Sequence, residues 1–395
     1  MLMKKGTRCT ICTGCGRCYG EYELKPHILS LNVQKDIPDI PGEDLLILAD
    51  IGTTTIAMVL ADTDGNVYSS FPVINPQVKY GADVISRIRA SADISVLNEM
   101  KDMVWAELDR GVRAFERLIP EKIRKIRMFV AANTTMVYLL CGLDPSELGH
   151  APFTASHLQE RTFCRKFSDF ELQVTVLPGL SAFVGADIYS GILACDLQAS
   201  DKYRLLCDLG TNGEIALGNK DHLYVTATAA GPAFEGGPAK GIWGSDMISL
   251  TAALLRENIL DKTGLLKDPW FEEGISIGNV YITQDSVRAL QLAKAAMHAG
   301  IVTICSRAGI GFEDIEECIL AGGFGYFLSP EDAAMTGLLP DKLKSGCRAG
   351  GNTALSGMIP YSRGMRINTP CEVINLAEDP SFNGLYMSAV NFEKF

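Results

Sequence analysis

Two short stretches of the chain combine residue types that could bind phosphate groups and a divalent cation. Each has an Asp at the end of an apolar run, then a Gly, then residues with hydroxyl or amide side chains. The two sets are Asp50, Gly52, Thr53 and Thr54, and Asp208, Gly210, Thr211, Asn212 and Gly213. A tight turn after a strand exposes backbone N–H groups and hydroxyls that can donate to phosphate oxygens. The Asp can hold Mg2+ or its waters, or orient a water for attack.

The repetition of this pattern about half a chain apart carries more weight than either copy. A single copy also fits a β-hairpin turn. A glycine-rich stretch with Gly322, Gly323 and Phe324 follows the apolar pair Ile319-Leu320. Adjacent glycines let a backbone lie flat against a ligand such as an adenine ring. Together the three stretches predict two similar lobes that bind a nucleotide.

Three further polar residues are candidates for the site, and the first two also have a simpler interpretation. Glu235 lies in a Gly-rich segment, where it could contact a ribose hydroxyl or Mg2+, or be an ordinary loop carboxylate. Asn133 follows a buried run and could face the site or cap the next helix. Asp187 follows Gly185, a small residue that suits close packing of a helix. We take Asp187 as the functional candidate of this segment.

Four cysteines near the start of the chain have the spacing C-x2-C-x2-C-x2-C, and they are Cys9, Cys12, Cys15 and Cys18. Thiolates at this spacing can converge on one soft metal centre, as in the C-x2-C-x2-C-x3-C-P pattern of bacterial ferredoxins. Here the last spacer is one residue shorter and the Pro is absent, since Tyr19 follows Cys18. The pattern favours one [4Fe–4S] cluster held by three or four thiolates. A structural Zn2+ site and a Cys-rich tail without metal are the alternatives.

Composition limits the class of protein. The chain has 395 residues, of which 47% are apolar and 21% charged, as is typical of a globular protein with a large core. The formal net charge of −11 and the lack of a basic tract argue against nucleic acid as a partner. No apolar run reaches transmembrane length, and the first residues lack the apolar core of a secretory signal. We therefore expect a cytoplasmic protein without membrane contact.

Strands and helices must position these residues. Apolar runs predict strands that lead into Asp50 and Asp208, each followed by a hairpin, which gives an antiparallel start to a mixed sheet. A long amphipathic helix is predicted over residues 284–308, with a buried face of Val287, Leu290, Leu292, Ala293, Ala296, Ile301 and Ile304. We place a Cys-rich arm and tether at residues 1–44, a first lobe at 45–200 and a second lobe at 201–395.

The two phosphate-type loops and the late Gly-Gly pair resemble the superfamily of ATPases that includes actin, hexokinase and Hsp70. Several longer phrases resemble the reductive activators of corrinoid enzymes. These phrases begin at Asn75-Pro76-Gln77, Asn133-Thr134-Thr135, Pro178-Gly179-Leu180, Ala230-Gly231-Pro232, Ile282-Thr283-Gln284, Leu290-Gln291-Leu292 and Ala321-Gly322-Gly323. The resemblance extends over roughly residues 45 to 395 and is specific in combination.

This resemblance implies an α/β fold of two actin-like lobes, each built on a ribonuclease H-like sheet, with the Cys-rich arm in front. It implies an enzyme that hydrolyses ATP with Mg2+ and passes an electron from an iron–sulfur cluster to a Co(II) corrinoid, giving Co(I). Asp50, Asp208 and Glu235 would be its catalytic carboxylates, and Gly322, Gly323 and Phe324 would border the adenosine. The partner would be a corrinoid protein or a corrinoid-dependent methyltransferase. The resemblance also fits a homodimer.

The chain departs from the family pattern at its Cys-rich segment. Family members commonly carry a full ferredoxin domain, often of the [2Fe–2S] type, where this chain has four closely spaced cysteines. Three other functions therefore stay open from the sequence. They are an ATP-driven electron donor to a non-corrinoid enzyme, a small-molecule kinase of the same superfamily, and a nucleotide-sensing module with Zn2+ in the arm.

Overall fold

The computed structural model describes residues 31–33, 44–210, 212–229, 244–277, 280–325 and 328–393. This part of the chain forms two compact units. The first unit comprises the described residues of Ile28–Ala199 and Gly351–Val373, and the second those of Ser200–Gly350 and Ile374–Phe395. Residues 351–373 thus pack with the first unit, although they follow the sheet of the second unit along the chain.

The secondary structure alternates between strands and helices. The strands are β1 (Leu45–Ile51), β2 (Thr55–Asp62), β3 (Val67–Ile74), β4 (Lys125–Ala132), β5 (Arg161–Lys166), β6 (Glu171–Val176), β7 (Tyr203–Leu209), β8 (Gly213–Gly218), β9 (Leu223–Thr228), β10 (Ile275–Ile277), β11 (Val280–Ile282), β12 (Ile315–Ala321), β13 (Cys347–Gly351) and β14 (Cys371–Val373). The helices are α1 (Val84–Ala90), α2 (Ile94–Phe115), α3 (Thr134–Cys141), α4 (Ala186–Ala194), α5 (Gly244–Arg256), α6 (Trp270–Glu273), α7 (Gln284–Ala308), α8 (Gly322–Gly325), α9 (Pro330–Met335), α10 (Thr353–Ser356), α11 (Met358–Ser362) and α12 (Phe382–Ser388).

The sheet of the first unit has the strand order β3-β2-β1-β4-β6-β5. Strands β1, β2 and β3 pair antiparallel as a meander, and β4 adds parallel to β1 on its other side. Strand β1 is almost continuously apolar and buried, as expected for a central strand covered on both faces. Helices α2 and α3 and the segment from Ala354 to Tyr361 contribute to the same core.

The sheet of the second unit repeats this plan. Its five longer strands have the order β13-β12-β7-β8-β9. Strands β7, β8 and β9 again form an antiparallel meander, and β12 again adds parallel to the first strand of that meander. The predicted α/β class and the predicted duplication of the sheet are therefore confirmed.

Helix α7 is the long helix of the second unit, with the bounds that the sequence predicts. Thr283 caps its first turn, and Gly309 ends it in a left-handed conformation with φ 70°. Six of the seven predicted core positions are buried, but Leu292 is 51% exposed. Among the described residues this helix alone is long and apolar enough to span a membrane, and most of it is buried inside the unit.

Candidate phosphate and magnesium site

The first candidate loop lies between β1 and β2. The Gly52 N–H donates to the carbonyl of Thr55 at 2.9 Å, which closes the turn. The Thr53 side chain is buried and Thr54 is exposed. The turn thus follows the end of a buried strand, as predicted from the Asp-hydrophobe-Gly-Thr pattern.

Two side chains from elsewhere in the first unit hold the backbone of this loop. Asn75 donates through Nδ2 to the carbonyl of Gly52 at 2.8 Å, and Arg87 donates through Nη2 to the carbonyl of Thr53 at 2.6 Å. Arg87 is fully buried, and its Nε also donates to the carbonyl of Gly81 at 3.0 Å. Arg87 lies in a stretch that carries the family resemblance, and the sequence predicts no role for it. The available signal was a charged residue at a helix position that faces the core.

Asn133 caps the next helix, as one of its two interpretations predicted, and it also contacts the first candidate loop. Its Oδ1 accepts the Met136 N–H at 3.0 Å, which caps α3. Its Nδ2 donates to the Thr53 hydroxyl at 3.2 Å. One amide therefore starts a helix and orients a hydroxyl of the first loop.

Asp50, at the end of β1, has its carboxylate oriented by an amide. Asn352 donates through Nδ2 to Oδ2 of Asp50 at 2.8 Å. Burial raises the pKa of Asp50 to about 7, the Asn352 hydrogen bond opposes the rise, and the charge of Asp187 adds to it. Asn352 is 302 positions further along the chain than Asp50, so the sequence offered no indication of this contact.

Asp187 lies in the first turn of α4, and its Oδ1 accepts the Ile188 N–H at 2.9 Å. Burial raises the pKa of Asp187 to about 6. Two neighbouring carboxylates that resist ionisation would both be stabilised by a divalent cation. Mg2+ usually takes one or two protein carboxylates and completes its shell with phosphate oxygens and waters. Among the described residues no group of three or more His, Cys, Asp and Glu is placed to hold a metal ion.

Gly185 lies before the first residue of α4 and allows close packing there, as predicted for a small residue at this position. A Cβ on Gly185 would lie 2.6 Å from the Cα of Asn133 and 2.6 Å from the backbone nitrogen of Thr134. The Thr134 hydroxyl also donates to the carbonyl of Ser181 at 2.7 Å. The segment that carries Asp187 is therefore packed against the residues that orient the first loop.

The second candidate loop follows β7 in the second unit. Asp208 is at the end of that strand, opposite Glu214 of β8, and the Gly210 N–H donates to the carbonyl of Asn212 at 3.1 Å. Gly213 begins β8, where a Cβ would lie 2.7 Å from the Thr228 hydroxyl. Each unit thus has a tight turn after a strand whose next-to-last residue is an Asp.

Gly322 belongs with this second loop. It has φ +81°, and a Cβ there would overlap Oδ1 of Asp208 and lie 2.7 Å from the carbonyl oxygen of Leu209. The contact arises because Ala321 of β12 pairs with Asp208 in parallel register. Gly323 differs, since nothing lies within 4 Å of its Cβ position. The predicted role of both glycines beside an adenosine stays a prediction.

Several predicted site residues lie outside the described residues. They are Thr211, Glu235 and the four cysteines Cys9, Cys12, Cys15 and Cys18, and the side chain of Phe324 lies outside as well. Of the other eight cysteines, all of them free, four are buried and Cys164 is exposed.

Two family models match most of the chain. The model described as the RACo middle region matches residues 46–200. The model described as the C-terminal domain of RACo, the ASKHA domain, matches residues 202–240 and 237–394. Their boundary falls between the end of α4 and the start of β7.

Curated relatives and a solved structure agree with these models. The corrinoid activation enzyme RamQ of Eubacterium limosum is 31% identical over 423 residues, which cover 88% of this chain and 70% of that protein. A [Co(II) methylated amine-specific corrinoid protein] reductase of Methanosarcina barkeri is 25% identical over 237 residues, or 47% of this chain and 43% of that protein. A solved reductive activator for a corrinoid, iron–sulfur protein has a TM-score of 0.74 and 28% identity, covering 88% of this chain and 66% of its own. The chain belongs to the family of reductive activators of corrinoid proteins.

Proposed function

We propose that this chain is an ATP-hydrolysing activase that drives the reduction of a corrinoid protein from Co(II) to Co(I). The observation that carries the proposal is the pair of Asp50 and Asp187 beside a loop of hydrogen-bond donors, in a chain related to corrinoid activation enzymes. The relatives do not favour a small-molecule kinase or a donor to a non-corrinoid enzyme.

The ATP chemistry is assigned to both loops. Backbone N–H groups and hydroxyls of residues 52–54 and 210–213 donate to the phosphate oxygens. Asp50, Asp187 and Asp208 are the carboxylates for Mg2+ and for orienting the attacking water, with Glu235 as a further candidate. Bound Mg2+ would neutralise charge that develops on the phosphate oxygens. Gly322, Gly323 and Phe324 border the adenosine.

Electron delivery to the corrinoid is assigned to the Cys-rich segment. Cys9, Cys12, Cys15 and Cys18 hold an iron–sulfur cluster, preferably [4Fe–4S], because four thiolates at short spacing suit such a cluster. The partner is a corrinoid protein or a corrinoid-dependent methyltransferase. The working compartment is the cytoplasm, without membrane or nucleic-acid partners, and the assembly is a homodimer.

ATP is needed because reduction of a Co(II) corrinoid is energetically uphill from ordinary cellular electron donors. For one electron, about 30 mV corresponds to roughly 0.7 kcal/mol. ATP can shift the reaction only if it binds more tightly to the state that favours Co(I). The difference in ATP affinity between the two states sets the largest free energy that ATP binding can contribute to the reduction.

Substitution of Asp208 tests the assignment of the second loop. We expect Asp208→Ala to abolish ATP turnover with the fold intact, because the strand-end carboxylate is lost while the turn stays. Circular dichroism and a phosphate-release assay measure the two properties. Asp221→Ala is the control, since Asp221 is an exposed carboxylate in a hairpin turn of the same unit. Full turnover in Asp208→Ala would contradict the assignment.

A further inference from the structure

The segment from Gly351 to Gly357 packs in the first unit. Gly351 has φ +70° and precedes Asn352 directly. Thr353 and Leu355 are 2% and 0% exposed, so the segment is anchored in the core. Asn352 is therefore held on a fixed backbone rather than on a mobile tail.

Contacts with α4 fix this segment further. The Ser190 hydroxyl donates to the carbonyl of Ala354 at 2.7 Å. A Cβ on Gly357 would overlap the carbonyl oxygen of Ser190, so the two backbones are in direct contact. Helix α4 also carries Asp187 in its first turn. One packed body thus positions Asn352 and Asp187 around Asp50.

The two ends of the Asn352 amide have different partners. Its Oδ1 accepts the Leu355 N–H at 2.8 Å and caps α10. Because Leu355 can only donate there, the orientation of the amide is determined, and Nδ2 must face the Asp50 carboxylate. The helix cap therefore fixes a donor against one oxygen of Asp50.

We infer that Asn352 is a positioning residue that holds Asp50 in the orientation required to bind Mg2+ with ATP. By occupying Oδ2, Asn352 leaves Oδ1 for the cation or for one of its waters. The inference rests on the proposed function, because it refines the role of one carboxylate in that site. Asn352 touches neither ATP nor Mg2+ and acts through Asp50.

Two substitutions separate positioning from helix capping. Asn352→Ser keeps a capping oxygen but is too short to reach Asp50, whereas Asn352→Ala loses both contacts. Loss of a hydrogen bond to a charged group corresponds to about a tenfold to hundredfold change in an equilibrium constant. We expect Asn352→Ser to raise the Mg2+ concentration for half-maximal ATP turnover by about that factor and, because it keeps the cap, to melt at a higher temperature than Asn352→Ala.

Calorimetry gives a readout that does not depend on turnover. The affinity for ATP is measured with Mg2+ and again in EDTA, and Asn352→Ser should weaken binding only with Mg2+. Asp93→Ala is the control for a lost helix cap, since Asp93 caps α2 through the Ser95 N–H at 2.8 Å. It should lower the melting temperature without changing the Mg2+ dependence.

The outcomes distinguish this inference from the proposed function. If wild-type protein shows no Mg2+-dependent ATP binding or turnover, the proposed function fails, and this inference with it. If the wild type is active and Asn352→Ser has wild-type Mg2+ dependence, only the positioning role is overturned. In that case Asn352 is a helix cap and nothing more.

Discussion

At the residue scale, Asp50 and Asp187 are held where ionisation is costly. Their pKa values are raised to about 7 and about 6, mainly by burial. Asp50 could be predicted from the sequence because it ends an apolar run before a Gly-Thr turn. Its partner Asn352 could not, because the two residues are far apart in the chain and only the packing of α10 on α4 brings them together.

Lys294 is a second residue whose environment opposes its charge. It is fully buried in α7, where its ammonium group donates to the carbonyl of Asn391 and lies 5.1 Å from the ring centroid of Phe392. Burial lowers the pKa of Lys294 to about 7, and the charge of Glu393 opposes the shift. His298, one turn further along α7, is also kept uncharged by burial, which lowers its pKa to about 4.

The depressed pKa of Lys294 predicts a pH-dependent stability. The unfolded chain keeps the Lys294 proton up to the ordinary pKa of 10.5, while the folded chain releases it near 7. The free energy of unfolding should therefore rise between these pH values, with a slope of up to about 1.4 kcal/mol per pH unit.

Lys294→Met should remove this contribution, because Met is buried without charge. Urea unfolding of both proteins at about pH 7.5 and about pH 9.5 measures it. The wild type should gain stability relative to the variant by up to about 2–3 kcal/mol over that interval. A difference between the two proteins that does not change with pH would contradict the prediction.

At the element scale, the strands that carry the loops were predicted well because their apolar runs are long and end at Gly. Helix α7 has the predicted bounds. Strand β5 was missed because Arg161 to Lys166 is an edge strand with few apolar residues. Leu292 was misplaced because buried Gln291 and Lys294 occupy the inner face that apolar residues were expected to fill.

The supports of the first loop show the same limit of sequence reasoning. Asn75, Arg87 and Asn133 come from three different elements and meet at Gly52 and Thr53. None of these three residue types is unusual at its position in the sequence. Only the parallel pairing of β4 with β1 and the packing of α1 make them converge. Long-range pairing of this kind leaves no local signal in one sequence.

Gly322 gives an element-scale prediction for the second loop. An Ala side chain there would be strained at φ +81° and would displace the Asp208 carboxylate. We expect Gly322→Ala to lower ATP turnover at least about tenfold, since a small displacement of a catalytic group has effects of that size or larger. Steady-state phosphate release measures the effect.

Gly309→Ala is the matched control for this substitution. Gly309 has φ +70° in the same unit, and nothing lies within 4 Å of its Cβ position. Both variants should lose about 1–2 kcal/mol of stability from backbone strain. Equal loss of turnover in the two would show that strain alone explains the effect and that Gly322 does not serve Asp208.

At the scale of the whole molecule, the two units share one sheet plan, and each has an Asp-ended strand followed by a turn. This duplication was visible in the sequence as a repeat. The membership of residues 351–373 in the first unit was not, because the chain leaves the first unit at Ala199 and enters it again only at Gly351.

Metal analysis tests the Cys-rich segment of the molecule. Anaerobically purified protein should contain about four irons and matching sulfide per chain, and the dithionite-reduced form should give an EPR signal. Cys12→Ser should lower the iron content while ATP turnover is kept, because the proposed ATPase residues lie elsewhere. Zinc without iron would assign the segment a structural role and require an external reductant.

The most direct test of the account is the ATP-dependent reduction of a corrinoid partner. Purified chain, a Co(II) corrinoid protein from a methyltransferase system and a low-potential reductant are mixed anaerobically, and the Co(II) EPR signal is followed with and without ATP. We predict that the signal disappears only with ATP and Mg2+, and that Asp208→Ala leaves it unchanged. Loss of the signal at the same rate without ATP, or its persistence with ATP across corrinoid partners, would contradict the account.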